Sequence, residues 1–194
     1  MMGVKSVFIP LPFISQTRYL LLIRVFLIVF LMPLLSLVTQ ATAQVNWLTW
    51  EEAQERNKKE PRKIFVDVYT QWCGWCKKMD KETFSNPEII KYLNKHFYAI
   101  KFDAETKEEI NFNDQPYEFI KSGNSGYHKL AAEITFGKLT YPTFVFLDEK
   151  FSILQPIPGY KDVPSLDKIM KYFAENYYKT TPWKKYEEMY MQKD

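Results

Sequence analysis

Runs of apolar residues bounded by polar or turn-forming residues predict four strands. Each run is rich in β-branched and aromatic residues, which is the composition of a buried strand. The polar residues 148–150 between the last two runs predict a turn, so these two strands form a hairpin-like pair. The four runs are residues 64–69, 97–102, 143–147 and 151–157.

Helices are predicted between and after these strands. Thr49 and Glu52 have the spacing of a capping box, which starts a helix over residues 50–59. Asn86 followed by Pro87 predicts the start of another helix, with Asn86 as its cap and a proline at its first position. Further helices are predicted over residues 73–84, 166–177 and, as a C-terminal extension, 178–194. Strands that alternate with helices indicate one α/β domain.

Residues 106–136 have the weakest pattern in the chain. Short helices are predicted over 107–112 and 116–121, and the sequence GNSG at 123–126 predicts a break. A further helix is predicted over 128–136. This segment is therefore expected to be a helical insertion.

The first 43 residues have the composition of a targeting segment. They contain three basic residues and no acid, an apolar run over 25–38, and the small residues Ala-Thr-Ala at 41–43. A charged start, a short apolar run and a small-residue cleavage site predict a secretory signal, cleaved after Ala43. Residues 44–194 then form a periplasmic or secreted domain. An uncleaved membrane anchor is the alternative, although a spanning helix needs about 20 apolar residues and Arg24 interrupts the run.

Removal of this segment changes the charge balance. The chain has 26 basic and 23 acidic residues, and the segment holds three of the bases. Residues 44–194 therefore carry 23 of each and a formal net charge of zero. Nothing in this balance favours nucleic acid or an anionic membrane surface as a partner. A monomer is expected.

The only two cysteines, Cys73 and Cys76, lie in the sequence WCGWCK. They follow a predicted strand and begin a predicted helix, where unpaired backbone N–H groups and the helix dipole stabilise negative charge. A thiol placed there ionises more easily, and the thiolate is the species that attacks disulfides. Cys73 is expected to be nearer solvent, and Cys76 more buried. The pair therefore predicts thiol–disulfide chemistry.

Three other roles for the pair stay open. A structural disulfide would close so short a loop that it removes little unfolded-state entropy. A zinc site needs four ligands, whereas the chain has no second cysteine pair and its two histidines, His96 and His128, are isolated in sequence. Two thiolates also suit copper(I), so a copper carrier or a binding module without redox turnover is an alternative function.

WCGWCK after an aspartate-containing strand resembles the active-site motif of the thioredoxin superfamily. The resemblance covers about residues 63–173. Asp67 stands six residues before Cys73, where the family places a buried aspartate, and Tyr141-Pro142-Thr143 resembles its cis-proline loop. Gly159 resembles a family glycine near the substrate groove. The segment 106–136 is similar to that of secreted bacterial thioredoxin-like proteins, including those similar to the C-terminal domain of DsbD.

The resemblance implies a thioredoxin-like fold with a central four- or five-stranded mixed sheet flanked by helices and a helical insertion before the cis-proline loop. It implies that Cys73 attacks substrate disulfides, that Cys76 resolves the mixed disulfide and that Asp67, with a pKa raised by burial, accepts a proton. No metal or cofactor is implied. The expected substrate-binding residues are Trp72, Trp75, Tyr141, Pro142 and Thr143. The expected partners are disulfide-containing proteins and a membrane electron donor.

Overall fold

The computed structural model describes residues 44–192, together with Ile23, Arg24 and Phe26, which are helical and exposed. The rest of the predicted signal segment, 1–43, lies outside the described residues, so the signal and its cleavage site stay predictions. Within the described part of the chain, no helix is both long and apolar enough to cross a membrane.

Five strands form one mixed sheet. They are β1 (Trp47–Leu48), β2 (Lys63–Tyr69), β3 (Phe97–Asp103), β8 (Thr143–Leu147) and β9 (Ile153–Pro158). Their order in the sheet is β1-β3-β2-β8-β9. The pairs β1–β3 and β3–β2 are parallel, and β2–β8 and β8–β9 are antiparallel. All four strands predicted from apolar runs are present. The short edge strand β1, which has only two residues, was not predicted.

Six α-helices are present in residues 44–192. They are α1 (Trp50–Lys59), α2 (Gly74–Glu82), α3 (Pro87–His96), α4 (Lys129–Ile134), α5 (Val163–Ala174) and α6 (Trp183–Met191), with a 3-10 turn at Tyr177–Lys179 before α6. Both predicted caps are confirmed. Thr49 and Glu52 form a reciprocal capping box on α1, and the Asn86 side chain accepts two backbone N–H groups at the start of α3.

The alternation of side chains along β2 creates two hydrophobic cores. Ile64, Val66 and Val68 face one core, which α1 and α4 cover. Phe65 faces the other core, which is covered by α2, α3 and α5. Since side chains at alternate positions of a strand share a face, Asp67 lies on the same face as Phe65. The fold therefore points Asp67 towards the layer that contains α2.

The prediction of a helical insertion over 106–136 is wrong for the first half of this segment. The short helices predicted over 107–112 and 116–121 are replaced by two hairpins. Their strands are β4 (Ile110–Phe112), β5 (Gln115–Tyr117), β6 (Phe119–Ser122) and β7 (Ser125–His128). The break predicted at 123–126 is confirmed as the β6–β7 turn, and the helix predicted over 128–136 is present as α4.

Two tight turns explain the hairpins. Asn113 and Asp114 connect β4 to β5 with φ of 51° and 60°, the left-handed values that a two-residue hairpin loop of type I′ requires. Gly123 has φ of 59° at the first position of the second loop. Asn, Asp and Gly tolerate these values better than other residues, so local turn chemistry decides the structure here.

Candidate active site

The two cysteines begin α2 where β2 ends. Cys73 is the N-cap of α2, and its N–H donates to the Thr70 carbonyl at 3.1 Å, which closes the turn between strand and helix. Cys76 lies in the first turn. The sulfurs of Cys73 and Cys76 are joined in a disulfide, with the Cα atoms 5.3 Å apart. The sequence prediction of a cysteine pair at a strand-to-helix junction is therefore confirmed.

The Cys73 sulfur accepts a hydrogen bond from the helix backbone. The Cys76 N–H donates to Cys73 Sγ at 3.0 Å. An N–H group in the first turn of a helix has no partner within the helix, and the dipole adds positive potential at the same place. This arrangement stabilises a thiolate at Cys73 once the pair is reduced. In the disulfide form the two residues are 4% and 3% exposed, so the predicted difference in their accessibility is not found.

Asp67 is buried and incompletely paired. Its side chain is 2% exposed, and within the described residues Oδ1 has no hydrogen-bond partner. The nearest cation, Lys101, has its Nζ 3.8 Å from Asp67 Oδ2. Desolvation raises the pKa of Asp67 to about 7; the positive charge of Lys101 lowers it, and the negative charge of Asp80 raises it. The predictions of burial and of a raised pKa are confirmed.

The loop before β8 has the predicted cis bond. The Tyr141–Pro142 peptide is cis, and the Pro142 carbonyl accepts the Gly159 N–H at 2.8 Å. Gly159 has φ of 86°, which favours glycine at this position. The Thr143 hydroxyl donates to the Thr140 carbonyl at 2.6 Å, and the side chain is buried. The Thr143 side chain is therefore engaged in a hydrogen bond inside the fold.

Trp72 connects the cysteine pair to this loop. Its side chain is 66% exposed, and its ring meets the Tyr141 ring edge to face with the centroids 5.8 Å apart. The indole N–H is held by both carboxylate oxygens of Glu105, each at 3.1 Å. An exposed tryptophan anchored at its edge presents a fixed apolar face to solvent.

Trp75 is held on a separate set of contacts. It is 58% exposed, and its ring lies 5.5 Å from the Tyr160 ring. The Lys78 ammonium lies over both rings, 5.2 Å and 5.1 Å from their centroids. The Tyr160 hydroxyl donates to Glu82 at 3.0 Å. Sequence reasoning identified Trp72 and Trp75 but missed the residues that orient them, since their partners are up to 85 positions away in sequence.

The two histidines have structural contacts. His128 is fully buried; its Nδ1 accepts the Leu130 N–H at the start of α4, and its Nε2 lies 3.1 Å from the Glu108 carbonyl. The His96 ring packs on Tyr92. In the part of the chain that the structure describes, no cluster of three or more His, Cys, Asp or Glu side chains has the geometry of a metal site.

The structure combines a mixed five-stranded sheet, a Cys-X-X-Cys pair at a helix N-terminus and a cis-proline loop. The contact between the Trp72 and Tyr141 rings links the loop to the pair. This combination is that of the thioredoxin class of fold. The sequence profile of the Thioredox_DsbH family, described as "Protein of unknown function, DUF255", matches residues 34–181. The chain belongs to this family.

Curated relatives share parts of the chain. Spermatogenesis-associated protein 20 of Mus musculus is 35% identical over 92 residues, which are 46% of this chain and 11% of that protein. Disulfide bond reductase DsbH of Chlamydia pneumoniae is 27% identical over 110 residues, 56% of this chain and 59% of that protein. This chain therefore spans about a tenth of the length of the mammalian relatives that it matches.

A solved structure supports the fold assignment. A putative disulphide-isomerase from Bacteroides thetaiotaomicron superposes with a TM-score of 0.50 at 26% identity, over 68% of this chain and 93% of that chain. The fold, the family and the Cys73–Cys76 disulfide together support thiol–disulfide chemistry in general terms.

Proposed function

We propose that this protein is a thiol–disulfide oxidoreductase that reduces disulfides of protein substrates outside the cytosol. The observation that carries this proposal is the hydrogen bond from the Cys76 N–H to Cys73 Sγ at the start of α2. A sulfur held there has the environment of a low-pKa nucleophile. The reductase direction draws support from the Chlamydia pneumoniae relative, whose name is disulfide bond reductase.

The reaction transfers two electrons in two exchange steps. The Cys73 thiolate attacks one sulfur of the substrate disulfide, forms a mixed disulfide and releases the first substrate thiolate. The Cys76 thiolate then attacks Cys73 Sγ, which forms the Cys73–Cys76 disulfide and releases the second substrate thiolate. The dithiol is oxidised and the substrate is reduced. A separate electron donor, proposed to be a membrane protein, restores the dithiol.

Asp67 is the proposed proton acceptor for the second step. Cys76 is buried, so its thiol needs a nearby base before it becomes a nucleophile. A carboxyl with a pKa of about 7 exchanges a proton readily near neutral pH, whereas an exposed aspartate would stay ionised. Asp67 lies on the face of β2 that α2 covers, and α2 carries Cys76.

The proposed substrate platform is formed by aromatic rings near the disulfide, of which Trp72 and Trp75 are exposed. Trp72 and Tyr141 contact each other beside the cis-proline loop, and Trp75 lies two residues beyond Cys73. An extended substrate segment bound along Pro142 and Thr143 would bring its disulfide to Cys73. The buried Thr143 side chain limits that residue to main-chain contact with the substrate.

The reduction potential tests this proposal. We expect the Cys73–Cys76 pair of residues 44–194, equilibrated with glutathione buffers, to have a midpoint nearer to the value of about −270 mV for thioredoxin than to the value of about −120 mV for the oxidant DsbA. The reduced protein should also accelerate insulin reduction over a variant that lacks both cysteines. An oxidising midpoint would reverse the direction, and no acceleration would favour the binding or copper(I)-carrier alternative.

A further inference from the structure

Lys101 lies between two carboxylates near the cysteine pair. Its ammonium forms a hydrogen-bonded ion pair with Asp80, which is partly exposed on α2. The same nitrogen is 3.8 Å from Asp67 Oδ2, too far for a hydrogen bond. The Lys101 ammonium therefore has a closer contact with the exposed carboxylate than with the buried one.

Strand register and helix spacing place these groups together. Lys101 on β3 is the parallel register partner of Asp67 on β2. On α2, Asp80 follows Cys76 by four residues, so the two side chains lie on one helix face. Asp80 is thus one helical turn away from the cysteine whose proton Asp67 is proposed to accept.

Aromatic rings surround the Lys101 ammonium. It lies 5.3 Å from the ring centroids of both Trp47 and Tyr69, and 5.9 Å from that of Phe84. These cation–π contacts favour a cation at this place, within reach of both carboxylates. Among the residues described, Asp80 and Asp67 are the two carboxylates within ion-pair distance of this nitrogen. Loss of one carboxylate leaves the other as the remaining partner.

We propose that Asp80 is a positioning residue that holds the Lys101 ammonium away from Asp67 and thereby keeps the buried Asp67 carboxyl able to carry a proton. The role of that proton in catalysis rests on the proposed function, whereas the effect of Asp80 on Asp67 does not. Asp80 needs no contact with substrate to act in this way.

The charged and titratable groups around Asp67 agree with this role. Lys101 faces it from β3 and Asp80 from α2, while its register partner on β8 is the apolar Phe144. Tyr69, two residues along β2, has a pKa raised mainly by burial and further by Asp103, with smaller contributions from Asp67 and Asp80. Removal of the Asp80 charge would lower the pKa of Asp67 in two ways, through lost repulsion and through a freed Lys101.

The test is an NMR titration of the Asp67 carboxyl carbon in the oxidised protein. In Asp80→Asn we expect its pKa to fall by about one unit, the size of shift that one nearby charge produces. In Lys101→Gln we expect it to rise. In the double variant, the fall of the Asp67 pKa caused by Asp80→Asn should be clearly smaller than in the wild-type background, because only the direct repulsion between Asp80 and Asp67 remains once the Lys101 charge is gone. An equal fall of this pKa in both backgrounds would show that Asp80 acts by direct repulsion alone and would overturn the positioning role.

Glu82→Gln is the matched control, since Glu82 is the other acid on α2 and contacts Tyr160 instead of Lys101. It should leave the pKa of Asp67 unchanged, and an unchanged pKa in Asp80→Asn would overturn the proposal. A second readout is the pH profile of insulin reduction, which Asp80→Asn should move to lower pH by the same shift. If the carboxyl titrates as expected but no variant reduces insulin, the proposed function fails while the role of Asp80 stands.

Discussion

Replacement of Cys73 by serine is expected to lower insulin reduction by at least about 100-fold, because a serine hydroxyl does not ionise near neutral pH and cannot replace a thiolate nucleophile. Replacement of Cys76 by serine is expected to have a different result. Cys73 is still at the helix N-terminus in that variant and still attacks, but nothing resolves the product. The enzyme should then accumulate as a mixed disulfide with its substrate.

Mass spectrometry after incubation with oxidised substrate measures both outcomes. Cys76→Ser should gain the mass of one substrate chain, and dithiothreitol should remove it. The variant without either cysteine supplies the background for rate and adduct. Full activity in Cys73→Ser, or adducts on Cys73→Ser instead of Cys76→Ser, would contradict the assignment of the nucleophile.

Replacement of Asp67 by asparagine is expected to stabilise the protein above pH 7. The pKa of Asp67 is raised from 3.8 to about 7 in the fold, so the folded state keeps a proton that the unfolded chain loses. The contribution of Asp67 to the free energy of unfolding is therefore highest below pH 4 and falls as the pH rises towards 7. Asparagine is neutral throughout, so at pH 8 the variant should be more stable by about 2–4 kcal/mol.

The same substitution should slow catalysis. Without a proton acceptor for Cys76, resolution of the mixed disulfide is expected to slow by about 100-fold, within the range found for general bases. Denaturant titrations between pH 4 and 8 and stopped-flow rates measure the two effects. Asp103→Asn is the matched control, because Asp103 ends β3 and binds Gln71 without being buried. Asp103→Asn should retain the wild-type dependence of the free energy of unfolding on pH. An unchanged pH dependence in Asp67→Asn would contradict the account.

The sheet and its helices were predictable because their signals are local. Compact apolar runs identified β2, β3 and β8, and the Thr49 and Asn86 caps marked the starts of α1 and α3. The hairpins over 110–128 were not predicted, since their strands are three or four residues long and only three of their 14 residues are buried. In such short segments the turn residues determine the structure, and Asn113-Asp114 was the available signal.

The candidate site was predictable only as far as it lies in one motif or resembles a known family. Cys73, Cys76 and Asp67 occur within ten residues of sequence, and Tyr141-Pro142-Thr143 was found by resemblance. Lys101 and Glu105 were missed because strand pairing, and not sequence proximity, brings them to Asp67 and Trp72. Register between β2 and β3 was the signal that would have identified Lys101.

The most direct test is the pKa of the Cys73 thiol in the reduced protein, measured as the pH dependence of its alkylation rate in Cys76→Ser. Because the Cys76 N–H donates to the sulfur and the sulfur lies at the positive end of the helix dipole, we expect a pKa at least one unit below the value of about 8.5 for free cysteine. A midpoint near 8.5 would contradict the account, since Cys73 would then be no more nucleophilic than a thiol in solution.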